Sequence, residues 1–219
     1  MGNDTMRIPK IEGLAPGDPK ALEAAFGALE PQPVACCNWS AEFPYAPQVT
    51  FRMFHTGAYL MVRFDVAERY TMACVAQDNG ASWTDSCVEL FLSPEPGVYY
   101  NFETTCAGRL LLACHTSRHE GVKAPAEALE SVIRHTSLPF GETFPEREGD
   151  NRWSLTLAIP PRALFRHRID DWSGHSVRMN LYKCGDNLSH PHFLSWRPIP
   201  AEKPDFHRPE YFGEAVFDR

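Results

Sequence analysis

Apolar side chains recur at every second position over most of this chain, the period of a strand with one buried face. Short runs of this kind cover residues 49–55, 58–66, 70–76, 87–92, 98–105 and 109–114. Further runs cover 131–138, 152–159, 176–183, 192–196 and 214–217. They are rich in β-branched and aromatic residues and are separated by Gly, Pro or charged turns. Ser93-Pro94-Glu95-Pro96-Gly97 and Cys106-Ala107-Gly108 read as hairpin loops. Helical signals are few. After an extended lead-in, Asp18 caps a short helix with Pro19 at its first position and Leu22, Ala25, Phe26 and Leu29 on one face. Pro31 and Pro33 end it. Residues 115–128 read as a polar loop with a helical turn, and Pro160-Pro161 opens another turn carrying Leu164 and Phe165. The expected fold is all-β, an antiparallel β-sandwich of roughly ten strands with one or two short helices. Residues 1–34, the lead-in and helix, belong to the same domain as the sandwich over 35–219, because no repeat, low-complexity tract or dividing linker intervenes.

Composition narrows this picture. A chain of 219 residues with 43% hydrophobic and 22% charged residues can bury a full core, which excludes disorder over most of its length. The longest apolar run, Leu110 to Cys114, falls far short of the ~20 residues a membrane span needs. The net charge is −7 and no basic cluster appears, so nucleic acid is not an expected partner. The seven cysteines (Cys36, Cys37, Cys74, Cys87, Cys106, Cys114 and Cys184) show no CxxC spacing, and several lie inside strand runs, where a free Cys is a small buried hydrophobe. This usage suits a reducing compartment; the alternative is a secreted domain with one or two bridges. Residues 1–5 carry neither a basic nor an apolar export segment, so no signal peptide is expected within this chain.

The chemistry begins with absences. The chain has no GxSxG elbow, Walker loop, GxGxxG or HExxH. His115 with His119, and His190 with His192, read as surface or hydrogen-bonding histidines, since further zinc ligands are not placed beside them. The informative run is Trp83 to Leu92. Alternation points Val88, Leu90 and Leu92 inward and Cys87, Glu89 and Phe91 to the other face. A carboxylate in the middle of an apolar strand face needs partners or a wet cleft. The next strand puts Asn101 and Glu103 on one face, so a hairpin would gather Glu89, Asn101 and Glu103. In the last third, Arg178, Asn180 and Tyr182 alternate with Met179, Leu181 and Lys183. Trp83 and Trp196 stand at strand–loop borders, where a ring can stay partly exposed; Trp39, Trp153 and Trp172 read as core. Exposed rings beside amides and carboxylates suit a sugar, whose apolar face stacks while its hydroxyls bond.

These residues also carry a family resemblance. Trp83-x-Asp85-Ser86-x-Val88-Glu89-x-Phe91-Leu92 resembles the central motif of family-nine carbohydrate-binding modules, and Tyr100-Asn101-Phe102-Glu103 with Gly108 is similar to its continuation. Asn180 to Asp186, His192 to Trp196 and Pro204 to Gly213 resemble segments of a family-nine-like subgroup. The resemblance implies a non-catalytic, lectin-like β-sandwich that serves polysaccharide breakdown, in possible association with glycoside hydrolases. It further implies a sugar clamped between two tryptophans and bound by a glutamate, an arginine and asparagines. Trp83 matches the first clamp and Glu89 the glutamate, and Trp196 is assigned as the second clamp. Asn101 and Glu103 fall where the family has other polar types. The family often holds structural calcium, which stays open here because no acidic loop is rich enough to name its ligands; no cofactor is required.

The expected function is therefore binding of a mono- or oligosaccharide between Trp83 and Trp196, with Glu89, Asn101, Glu103 and Lys183 as polar contacts. The principal alternative is a glycoside hydrolase using two carboxylates among Asp85, Glu89, Glu103 and Asp186. A third possibility, a haem or redox sandwich, would draw on Met53, Met61, Met72 and Met179, which read better as core.

Overall fold

Strand alternation builds two sheets whose apolar faces meet. A computed structural model describes residues 5–219. Residues 1–4, on which most of the reading of the N-terminal segment rests, lie outside the described residues. In chain order the strands are β1 (Met6–Ile8), β2 (Gln32–Pro33), β3 (Gln48–His55), β4 (Leu60–Ala73), β5 (Cys87–Glu95), β6 (Val98–Thr105) and β7 (Leu110–Ser117). They continue as β8 (Glu120–Lys123), β9 (Ile133–Thr136), β10 (Phe144–Ile159), β11 (Ser176–Cys184), β12 (Phe193–Ser195) and β13 (Gly213–Phe217). The larger sheet runs β1-β13-β11-β5-β6-β7-β8, with β12 also on β11; the smaller runs β2-β3-β4-β10-β9. All pairings are antiparallel except β1 with β13. The expected antiparallel sandwich is the fold.

Val88, Leu90, Leu92, Phe102, Leu112 and Leu181 of the larger sheet belong to the same buried cluster as Phe51, Val62, Phe64, Leu155 and Leu157 of the smaller one. At 25 cal/mol per Å² or so, full burial of each such side chain stabilises by about 1.5–3 kcal/mol. Met53 and Met179 belong to this core, and Met61 to a second cluster under the helix. That helix, α1 (Pro19–Gly27), is capped by Asp18, whose Oδ1 accepts from the Lys20 and Ala21 amides at 3.1 Å. Its Leu22 and Phe26 cover Phe54, Met61 and Ala158 on the outer face of the smaller sheet.

Three expectations change. The runs at 58–66 and 70–76 are one strand, β4, because β10 pairs along its whole length and absorbs the Ala67-Glu68-Arg69 interruption with a register shift between Glu148 and Asn151. β10 begins at Phe144, well before 152, for the same reason. The polar stretch after His115 contains the edge strand β8 before the short helix α2 (Ala126–Glu130); all four β8 residues are exposed, so no apolar alternation marks it. Trp39, Trp153 and Trp172 are buried as expected, with their indole N–H groups donating to Ala201 O, Glu68 Oε1 and Ile159 O.

Candidate functional site

The outer face of the larger sheet carries a second aromatic cluster. Cys87 and Phe91 of β5, Tyr99 of β6, and Tyr182 and Cys184 of β11 meet Trp39, Ile199, Phe206 and Phe212 from the segments that fold over them. Beside this cover, over Glu89, Asn101 and Glu103, lies a pocket of about 450 Å³, within the ordinary range for a small-molecule site.

Register sets the floor. Glu89 and Glu103 are partners across β5 and β6, and Asn101 lies two residues along β6 from Glu103. Asn101 is fixed at both ends of its amide: Nδ2 donates to Glu103 Oε1 at 2.7 Å and Oδ1 accepts from the Ala113 amide at 3.1 Å. Glu89 Oε1 accepts from the Cys184 thiol at 3.1 Å. Glu103 Oε2 is buried without a hydrogen-bond partner. Burial, followed by the Glu103 charge opposite, raises the Glu89 carboxyl well above its ordinary range. Burial also pushes Glu103 up to about 7, and Asp186 at the pocket margin up to about 6.

The walls come from loops. Trp83 sits in a 3-10 turn (Ser82–Thr84) and is 41% exposed. Its carbonyl accepts from the Asp186 amide at 3.1 Å, which ties the turn to the segment after β11. Across the pocket, His115 stacks on Tyr99 (5.3 Å between centroids, 12° between planes), and Tyr99 OH lies 2.8 Å from His207 Nδ1. Burial lowers both histidines, His207 to about 3, so both rings are neutral at pH 7. His115 Nε2 is buried without a partner. Arg118 pairs with Asp205 at 3.1 Å and links the β7–β8 hairpin to the covering segment. The His115 imidazole occupies the space over its cross-strand partner Gly121, where an added Cβ would strike the ring. Gly121→Ala is therefore expected to cost about 1–3 kcal/mol of stability by overpacking and to displace His115 from the pocket, read by urea denaturation and the His115 NMR signals.

The pocket brings Trp83, Glu89, Asn101 and Glu103 together, and leaves out the other two expected residues. Lys183 is fully buried and points between the sheets. Its Nζ lies 2.9 Å from Glu68 Oε2, donates to Cys184 O at 2.9 Å and meets His192 Nε2 at 2.7 Å. Trp196 is half-buried against the main core, edge-on to Phe51 at 5.6 Å, with the Arg197 guanidinium 4.1 Å over its ring. The pocket is thus not a slot between two indoles. Strand parity is the reason: Lys183 alternates with Tyr182 and shares the inward face of Met179 and Leu181, while Trp196 follows the inward Leu194 at the spacing of two. The aromatic that β12 contributes to the pocket is Phe193, paired with Cys184. Asp85 is outside the pocket as well. It is buried, and its Oδ2 accepts from the Cys74 and Val75 amides at 2.8 Å, which pins the end of β4.

The comparisons with known proteins fit this geometry. The model for "carbohydrate-binding family 9" matches residues 18–217. The chain belongs to carbohydrate-binding family 9. A solved structure described as a candidate carbohydrate-binding protein from Bacteroides uniformis ATCC 8492 is 40% identical, with a TM-score of 0.92 over 98% of this chain and 99% of that one. Two structures of a family 9 module from Caldicellulosiruptor kristjanssonii share the fold at low identity. The complex with cellotriose has a TM-score of 0.59 at 10% identity, covering 98% of this chain and 94% of that one. The complex with glucose has a TM-score of 0.58 at 12% identity, covering 97% and 96%. No curated protein matches the chain. For a family 9 chain, the sequence reading missed the walls: His115, Arg118, Phe193, Asp205 and His207 reach the pocket from loops and an edge hairpin. Phe193, Asp205 and His207 fall inside the segments that carry the resemblance, but the Asp205–His207 stretch has no strand alternation to mark its side chains as pocket-facing. Among the described residues no helix is long and apolar enough to cross a membrane.

Proposed function

We propose that this chain binds a mono- or oligosaccharide, as a non-catalytic module, in the pocket walled by Trp83 and floored by Glu89, Asn101 and Glu103. The observation that carries the reading is the unpartnered, buried Glu103 Oε2 beside an exposed indole. A buried acceptor without a donor costs about 1–3 kcal/mol, which a sugar hydroxyl recovers on binding. His115 Nε2 offers a second such group. The indole covers the apolar face of a pyranose, and Phe193 takes the place expected of a second tryptophan. A handful of hydrogen bonds plus one stacked ring gives micromolar to millimolar affinity. The relatives with cellotriose and glucose favour a glucan end as the first ligand to try. The biological setting we assign is polysaccharide breakdown, beside glycoside hydrolases.

Binding without bond cleavage is favoured by the placement of the carboxylates. A glycosidase flanks the scissile bond with its two acids. Glu89 and Glu103 are cross-strand partners on one sheet and approach a ligand from the same side. Titration calorimetry against a panel of mono- and oligosaccharides tests the proposal. Trp83→Ala is expected to weaken binding tenfold or more, about 1.4 kcal/mol, with the far-UV spectrum unchanged. Absence of binding to every sugar, unaltered affinity in Trp83→Ala, or release of reducing ends from an oligosaccharide would each overturn it.

A further inference from the structure

The pocket floor carries more sulfur than sugar binding requires. Cys87 and Cys184 are partners across β5 and β11, and Glu89 lies two residues along β5 from Cys87. Register therefore puts all three on one face, and their two Sγ atoms and a carboxylate oxygen lie within 4.8 Å of one another. All three residues are buried. We infer that Cys87, Cys184 and Glu89 hold a thiophilic divalent cation of the zinc class, with a fourth coordination position facing the pocket.

The donor set selects the ion. Two thiolates and one carboxylate suit a borderline-soft metal and not calcium, which takes six to eight oxygens. Tetrahedral zinc, with bonds of about 2.3 Å to sulfur and about 2.1 Å to oxygen, holds its donors about 3.6–3.8 Å apart. The three donors here already lie within 4.8 Å of one another, so small side-chain rotations close the shell. The Cys184 thiol points at Glu89 Oε1 at 3.1 Å, so its proton occupies the path a metal would take.

Charge supplies a second argument. Glu89, Glu103 and Asp186 line one pocket. The nearest ammonium behind that floor, Lys183, lies on the opposite face of β11 and is committed to Glu68. The pocket's own cations, Arg118 and Lys123, lie at the β7–β8 hairpin, and Arg118 is paired with Asp205. Metal entry exchanges protons for a cation at the floor: one divalent ion displaces the two thiol protons, and a third where Glu89 starts protonated. Thiolates are the ligating form, so uptake is accompanied by release of the thiol protons. Glu89 and Cys184 line the pocket while Cys87 lies beneath them. Three protein ligands and one open position form the pattern that binds water or a ligand hydroxyl.

The test uses the full chain, reduced and stripped with chelator, without sugar. One equivalent of Co²⁺ is expected to give a thiolate-to-cobalt charge-transfer band with tetrahedral d–d bands, both erased by Zn²⁺. Zn²⁺ is expected to protect Cys87 and Cys184 from alkylation, mapped by mass spectrometry, while the exposed Cys74 stays reactive. Cys184→Ser is expected to lose about a hundredfold or more in Zn²⁺ affinity. The inference is overturned by a six-coordinate cobalt spectrum without the thiolate band, by alkylation of the pair that Zn²⁺ does not slow, or by a Cys87–Cys184 disulfide that persists under reduction. The wild-type arms decide the matter even where Cys184→Ser fails to fold.

Discussion

Lys183→Ala is expected to destabilise the protein by about 3–5 kcal/mol while leaving the sugar affinity of the folded fraction unchanged. The ammonium is fully buried, ion-paired with Glu68 and hydrogen-bonded to Cys184 O and His192. Glu68 in turn accepts from the Trp153 indole at 2.7 Å and from Thr71 at 3.1 Å. Burial, then the Lys183 charge, drives the His192 pKa well below its ordinary value. The neutral ring accepts from Lys183 at Nε2 and donates from Nδ1 to His190 O. Removing the cation strands a carboxylate between two sheets, and that uncompensated charge is the source of the cost. Lys183→Met combined with Glu68→Leu is expected to recover most of the loss, since the pair together pays a desolvation penalty that apolar residues avoid. Urea denaturation measures the stabilities. A single variant within 1 kcal/mol or so of the wild type would show that the pair is solvated, and a loss of sugar affinity would return Lys183 to the pocket.

Stability is expected to fall as pH rises, and Glu103 is expected to contribute to the slope. Its ordinary value of 4.5 is pushed up to about 7, by burial first and then by the Asp186 charge against the lowering hydrogen bond from Asn101. The folded state thus keeps a proton that the unfolded chain gives up above 4.5. This group's contribution is complete below that value and is lost as pH climbs through about 7. The loss is on the order of 3 kcal/mol. Glu89 and Asp186, both raised, add in the same direction. Glu103→Gln keeps the shape and removes the titration. In chelator-treated, sugar-free protein it is expected to gain on the wild type between pH 5 and pH 8 by about this amount. Parallel stability profiles for the two proteins would refute the assignment.

Period-two patterning made the sandwich legible, because each long strand buries one face. The same alternation made Glu89, Asn101 and Glu103 legible, since a carboxylate on the wrong face of an apolar strand is costly unless it serves a pocket. Lys183 and Trp196 went astray where residue type was weighed above parity: both share a face with core leucines, Leu181 and Leu194. β8 was illegible because an exposed edge strand has no buried face to mark. Asp205 and His207 were illegible as pocket residues because the covering segment docks through tertiary contact, with no period of its own.

The pocket straddles two regimes of the fold. Its acidic floor lies on strands locked between neighbours, while Arg118 and His119 lie beside β8, an edge strand that pairs with β7 and buries none of its side chains. Lengthening or resculpting that ribbon away from Gly121, over which the His115 ring packs, disturbs no interior packing. Ligand preference can therefore drift between close cousins of this chain through one outlying hairpin, while the anchoring carboxylates and their amide stay in place.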